Sequence, residues 1–281
     1  MLCRKLIGPI TVVAVLTMAG GVGAAENARY PNWKGAWERY VPPGSVASPS
    51  GLLTPGGQPS FDQTKPWGRG QQAPLTPEYQ KVLEDSIADQ ARGGQGNNFD
   101  RARCMPTGMP HNMTFGPLEF VVTPDTTFIL IGTQARRIFT DGRDWPKQLE
   151  PSYVGYSIGR WIDQGGRGDY DLLEVETRGF KGPRVYDATD LPLHFDNQSI
   201  FKERIYLDKA DPNVLHDDVT VIDHALTRPW TVSRFYRRGL NPVYEEYPCT
   251  EDNHWIAVGG ELYLSDGEGY LMPCFVHPVR C

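Results

Sequence analysis

Residues 128–161 read FILIGTQARRIFTDGRDWPKQLEPSYVGYSIGRW. The stretch opens with an unbroken apolar run, Phe128-Ile129-Leu130-Ile131, and after a short break resumes as the alternating segment Arg137-Ile138-Phe139-Thr140, stopped by Asp141-Gly142. Short apolar or alternating runs bounded by turn formers are the pattern of strands, so the reading is strand, break, strand, turn, with a further strand over 153–162. Arg136, Arg137 and Arg143 crowd around Asp141. Such guanidinium forks either meet an anion or tie a turn down through internal ion pairs, and the second use is the commoner.

Segments 118–123 and 127–132 flank the turn formers Pro124-Asp125, and further strand patterns run over 171–177, 199–207, 214–223, 230–236 and 255–258. Gly, Asp and Pro turns separate them, without the helices that parallel crossovers need. The expected fold is therefore mainly β: an antiparallel, barrel-like domain, lipocalin-like or a sandwich. One N-terminal amphipathic helix is expected. Thr76 is a good N-cap, Pro77 suits the first helical position and Glu78 the first turn. Tyr79, Val82, Leu83 and Ile87 then recur at helical spacing until Gly93-Gly94. The region 26–75 is rich in Pro, Gly and Ser around Trp33 and Trp37, and reads as an extended strap pinned by its tryptophans. The tail 261–281, with Gly and Pro throughout, reads as irregular.

Residues 1–25 have the three parts of an export signal: Arg4-Lys5, an apolar core over 10–18, and the small residues Gly23 and Ala25 before Glu26. The mature chain is expected to be periplasmic or secreted, with 76–281 as a single β-rich domain. No run approaches the roughly 20 apolar residues of a membrane-spanning helix, so no stable membrane span is expected after signal removal. A net charge of −6 with no basic block gives no footprint for a nucleic-acid partner. Of the 5 cysteines, Cys3 falls in the leader. Cys104, Cys249, Cys274 and Cys281 remain for an oxidising compartment, where disulfides are the default and three pairings are open.

Familiar catalytic signatures are absent: there is no His-Glu-x-x-His helix, phosphate-binding loop or dinucleotide fingerprint. Gly155-Tyr156-Ser157-Ile158-Gly159 matches a nucleophile elbow by letter, but it lies within a strand pattern and not at a strand-to-helix turn. The remaining candidates are polar residues that a barrel brings together. His194 or His224 oriented by an acid such as Asp223 is the sharpest general-base candidate. Arg136, Arg137 and Asp141 join the catalytic set, since an arginine stabilises a developing anion. Trp230, Glu203 and Arg204 are candidate ligand-binding residues. His194-x-Asp196 with Asp223-His224 also offers nitrogen and oxygen ligands to zinc or iron, but the spacing is not diagnostic, and neither metal nor cofactor is expected.

The runs Arg136-Arg137-Ile138-Phe139-Thr140-Asp141-Gly142-Arg143 and Gly155-Tyr156-Ser157-Ile158-Gly159-Arg160-Trp161 resemble the signature of a large family of secreted bacterial proteins. The resemblance continues in Cys104-Met105-Pro106-Thr107-Gly108, Thr227-Arg228-Pro229-Trp230-Thr231 and Glu246-Tyr247-Pro248-Cys249. It implies a shared fold and no particular activity. Cys104 and Cys249 lie in its motifs and are expected to pair. Cys274 and Cys281, which enclose a short tail loop, are expected to pair with each other. His194 falls where the family also places a histidine. After Asp141-Gly142-Arg143 the family has Pro-His where this chain has Asp144-Trp145, which weakens any activity centred on that turn. The functional expectation is a cavity for a small aromatic or acidic molecule. It serves either a cofactor-free lyase, isomerase or hydrolase with a His/acid/Arg site, or a non-catalytic binding or structural module.

Overall fold

The computed structural model describes residues 30–40, 42, 73–92, 94, 96–97, 105–114, 117–132, 134–187 and 189–240, with the strand backbones of 255–258, 261–265 and 271–273. Nine strands close into a barrel in sequence order: β1 (Ala36–Arg39), β2 (Leu118–Val122), β3 (Thr126–Ile131), β4 (Gln134–Phe139), β5 (Tyr156–Ile162), β6 (Leu172–Arg178), β7 (Ile200–Leu207), β8 (Val214–Ile222) and β9 (Trp230–Arg238). The mainly β barrel read from the sequence is the fold. The strands expected between 118 and 236 all form, with ends shifted by a few residues.

The ring is not antiparallel throughout. Strands that alternate in direction around a closed ring must be even in number, so nine require one parallel pair. That pair is β4 with β5, registered Ile138 to Ser157 and Phe139 to Ile158. The connection 140–155 cannot be a hairpin and instead returns along the barrel. On its way Trp145 sits under the Arg178 guanidinium, 4.7 Å from the ring centroid, and Ser152 bridges to Phe180. At the junction, a Cβ on Gly159 would lie 2.6 Å from Ile138 Cγ2 and 3.2 Å from the Glu174 carbonyl oxygen, so only glycine allows the two strands this approach.

The strap supplies the strand that closes the ring. β1 pairs with β2 through Ala36 and Trp37, and with β9 through Trp37, Glu38 and Arg39. Four residues in a Pro/Gly-rich segment carry little strand signal of their own, and burial holds them: Trp33 and Trp37 are both inside. Trp37 Nε1 donates to the Trp33 carbonyl at 3.0 Å, and the Arg238 guanidinium lies 4.3 Å from the Trp37 ring centroid.

The helix α1 (Pro77–Ala91) begins as its sequence dictates, with Thr76 Oγ1 accepting from the Tyr79 amide at 3.3 Å. Tyr79, Leu83 and Ser86 are buried, whereas Val82 is largely exposed. The helix docks at the end of the barrel that carries the β8–β9 turn, where the Thr76 amide donates to the Ala225 carbonyl at 2.8 Å. The tail is more regular than its composition suggests: β10 (Trp255–Val258), β11 (Glu261–Ser265) and β12 (Leu271–Pro273) form a three-stranded antiparallel sheet. Backbone pairing overrides weak local preference there. Among the described residues no helix is long and apolar enough to cross a membrane. The leader 1–25 and Cys104, Cys249, Cys274 and Cys281 lie outside the described residues.

If Trp37 holds the closing strand, Trp37→Ala will lower unfolding free energy by about 3–5 kcal/mol in urea denaturation, the range for a fully buried tryptophan. A loss under about 1 kcal/mol would mean that β1 is an ornament on a barrel stable without it.

Candidate functional site

Strand alternation decides which side chains face the interior. On β7 the inward set is Phe201, Glu203 and Ile205; on β8 it is Leu215, Asp217, Val219 and Val221; on β9 it is Trp230, Val232, Arg234 and Tyr236. β4 contributes Arg136 and Ile138. Charged groups therefore sit on otherwise apolar faces, inside a ring with no open edge.

One pair is fully satisfied. Arg136 grips Glu203 bidentately, with Nη1 to Oε1 at 2.8 Å and Nη2 to Oε2. Its Nε donates to Ser157 Oγ at 3.2 Å and Nη2 also to Thr177 Oγ1 at 2.8 Å. Ser157 is thus a mid-strand partner of an arginine and not an elbow nucleophile. With both charges desolvated, the hydrogen bonds are what make their burial tolerable.

A second group is not satisfied. Asp217 and Arg234 face each other in register across β8 and β9, 0% and 3% exposed. Yet neither Asp217 oxygen has a hydrogen-bond partner among the described residues. Arg234 gives Nη1 to the Pro110 carbonyl at 3.1 Å, while its Nε and Nη2 also lack partners. Those two nitrogens form one edge of the guanidinium, the geometry that receives a carboxylate through two parallel hydrogen bonds. The Tyr186 ring lies 5.2 Å from the Arg234 guanidinium carbon, and its hydroxyl makes no hydrogen bond of ordinary geometry among the described residues, although Arg234 is close enough to favour its ionised form. Tyr236 donates to the Met113 carbonyl at 2.6 Å. Burial raises the Asp217 carboxyl well above the usual carboxylate range; nearby Glu203 pushes the same way, and Arg234 and Arg136 oppose it without prevailing. Burial also pushes the Tyr186 phenol up, so it stays a neutral hydroxyl.

Outside the barrel, at the end where α1 docks, the histidines gather. Asp223 Oδ1 accepts from the His194 amide at 2.9 Å and the Ala225 amide at 2.8 Å, and its Oδ2 accepts from Ser199 Oγ. It braces the backbone and does not orient an imidazole. Asp196 fills that role: its oxygens lie 2.6 Å from His224 Nδ1 and 3.0 Å from His194 Nδ1. The hydrogen bond to Asp196 raises the His224 pKa. Burial works against ionising Asp196, but the Gln198 amide and the two imidazoles outweigh it and hold the carboxyl below its usual range. Asp196 also lines a groove of about 600 Å³ with Leu149, Arg178, Phe180, Lys181 and Ile200.

The residues singled out from the sequence therefore divide. Arg136, Glu203 and Trp230 are inside, with Trp230 packed on Tyr186 at 4.9 Å between centroids. His194, Asp223 and His224 meet at the rim. Arg137 points outward toward the Phe128 ring, Arg204 lies outside, 3.7 Å from Glu174, and Asp141 is held by Arg143 within its own turn. Those three belong to neither group: adjacent strand residues alternate faces, and the turn is satisfied internally. Asp217, Arg234 and Tyr186 were not among the candidates. The first two carried a readable signal, since apolar residues flank each on its strand face: Val219 and Val221 follow Asp217, and Trp230 and Val232 precede Arg234. No protein-family model, curated protein or solved structure matches the chain.

With its pKa raised by burial, Asp217 releases its proton at higher pH in the folded chain than in the unfolded chain, where release comes near pH 4, so its contribution to stability falls as pH rises above about 4 until the folded pKa is passed. Asp217→Asn removes that titration. Thermal unfolding of the variant should match or exceed wild type with a margin that widens from pH 5 to pH 8, and a constant margin would show Asp217 ionised in the folded protein.

Proposed function

We propose that the mature chain is an exported barrel that binds a small organic acid within its ring, seating the carboxylate on the Nε and Nη2 edge of Arg234. The observation that supports this reading is that buried donor edge, which makes no hydrogen bond of ordinary geometry among the described residues. An orphaned buried polar group costs about 1–3 kcal/mol, and native interiors seldom leave several in one place without a use for them. Charge balance favours an anion. Arg136 and Glu203 pair with each other, and with Asp217 neutral Arg234 has no carboxylate hydrogen-bonded to it among the described residues. The donor inventory agrees: Arg234 Nε and Nη2, the Tyr186 hydroxyl and a protonated Asp217 all offer hydrogens, so the ligand must be rich in acceptors. Trp230, packed on Tyr186 at 4.9 Å between centroids, is the apolar surface against which the body of a short acid would lie.

A carboxyl held neutral beside a bound acid is suited to passing a proton to or from it. This gives the barrel a route to cofactor-free isomerase, lyase or hydrolase chemistry, with Asp217 as the proton carrier and Arg234 as the anion clamp.

Calorimetric titration with formate, acetate, pyruvate and benzoate tests the proposal. At least one acid should bind, its amide should not, and Arg234→Met should weaken the acid roughly tenfold to a hundredfold, the worth of a charge-assisted hydrogen bond or two. Tyr186→Phe keeps the packing and should weaken it several-fold. Equal binding of acid and amide, or of acid to wild type and Arg234→Met, overturns the assignment.

A further inference from the structure

We infer that His194, Asp196 and His224 form a binding site for a divalent cation of the zinc class, separate from the barrel interior and independent of the reading proposed for it. Two imidazoles and one carboxylate, on two backbone segments, bring one ligand atom each within 4.8 Å of one another. Imidazole with carboxylate suits zinc, nickel, cobalt or iron(II), whereas calcium and magnesium take oxygen ligands.

The hydrogen bonding within the group calls for a positive charge. His194 Nδ1 accepts the Asp196 amide hydrogen at 3.2 Å, which in the neutral ring places the proton on Nε2. The same Nδ1 lies 3.0 Å from Asp196 Oδ1. One nitrogen cannot accept the amide and also donate to the carboxylate, so two acceptors face each other. On the other side His224 Nδ1 approaches Asp196 Oδ2 at 2.6 Å. A cation shared by the carboxylate and the two rings relieves that opposition, and a proton on His194 is the competing solution.

The frame around the group is fixed. Asp223 ties the two segments together through the His194 and Ala225 amides, and Asn197 adopts φ +58° to turn the chain after Asp196. The His194 ring is held between Tyr79 and Phe195, at 5.0 and 4.5 Å between centroids. Partners behind the ligands that set ring orientation are what metal sites require beyond the ligands themselves. The His224 side chain is 68% exposed, so three protein ligands would leave coordination positions open to water, the arrangement of reactive and not of structural zinc sites. Asp196 also lines the 600 Å³ groove, so the open positions would face a space able to hold a second molecule.

The test uses the mature, oxidised, chelator-treated chain and the metal alone. Zinc titrated calorimetrically should bind with one site per chain, calcium should not compete, and cobalt(II) should give a visible absorption band that zinc abolishes. His224→Ala and Asp196→Asn should each weaken zinc by at least about tenfold, while melting within a few degrees of wild type, since His224 is exposed. Asp208→Asn, which alters a separate histidine–carboxylate contact at His216, should leave zinc affinity unchanged. Zinc affinity the same in wild type and both site variants, or no saturable binding, would overturn the site and leave the proton as the bridging charge.

Discussion

Closing nine strands into a ring removes every free edge and assigns half of each strand's side chains to a space that water does not reach freely. Every polar group on an inward position must then find its partner inside. Arg136 and Glu203 meet that demand, with Ser157 and Thr177 accepting from the guanidinium Nε and Nη2 so that every nitrogen has a partner. Asp217, Arg234 and Tyr186 do not, although they occupy the same interior and two of them are register partners. The contrast carries the functional reading, because both sets fold under the same constraint and only one lacks partners. The uneven ring adds a second consequence. One parallel junction forces a long return connection, and that connection forms a wall of the groove beside Asp196 through Leu149 and Pro151.

The rim follows a different logic. Its residues keep access to water, so ionised groups are affordable there, and a carboxylate can sit between two imidazoles without the desolvation cost that Asp217 meets. The protein thus holds two carboxylic acids pushed in opposite directions by their surroundings: Asp217 up by burial, Asp196 down by amide and imidazole hydrogen bonds despite its partial burial. Groups separated in this way are suited to different tasks, proton transfer inside and charge neutralisation outside.

Much of the frame was legible in the residues themselves. Period-two alternation located the strands from 118 to 236, and Thr76-Pro77-Glu78 located the helix start, because both signals are local. β1 was not legible as a strand, since Ala36–Arg39 is held by Trp37 burial and by two neighbours distant in sequence. The parallel junction was not legible either, because the parity of a closed ring is a property of the whole. At the rim, His194, Asp196, Asp223 and His224, grouped in the sequence by their chemistry, lie close together, while face alternation keeps Arg137 and Arg204 out of the interior that Arg136 and Glu203 occupy. Asp217 and Arg234 illustrate a charge on the apolar side of a strand, a pattern visible in sequence that acquires meaning once the ring is known to close.

Native mass spectrometry of the protein purified from its native host, with the released small molecules identified after denaturation, tests the anion clamp most directly. A short-chain acid should be bound at up to one per chain and absent from Arg234→Met protein prepared the same way. An acid retained in equal amount by the variant, or a neutral apolar compound in its place, would contradict the assignment of Arg234 as the anion clamp of the barrel.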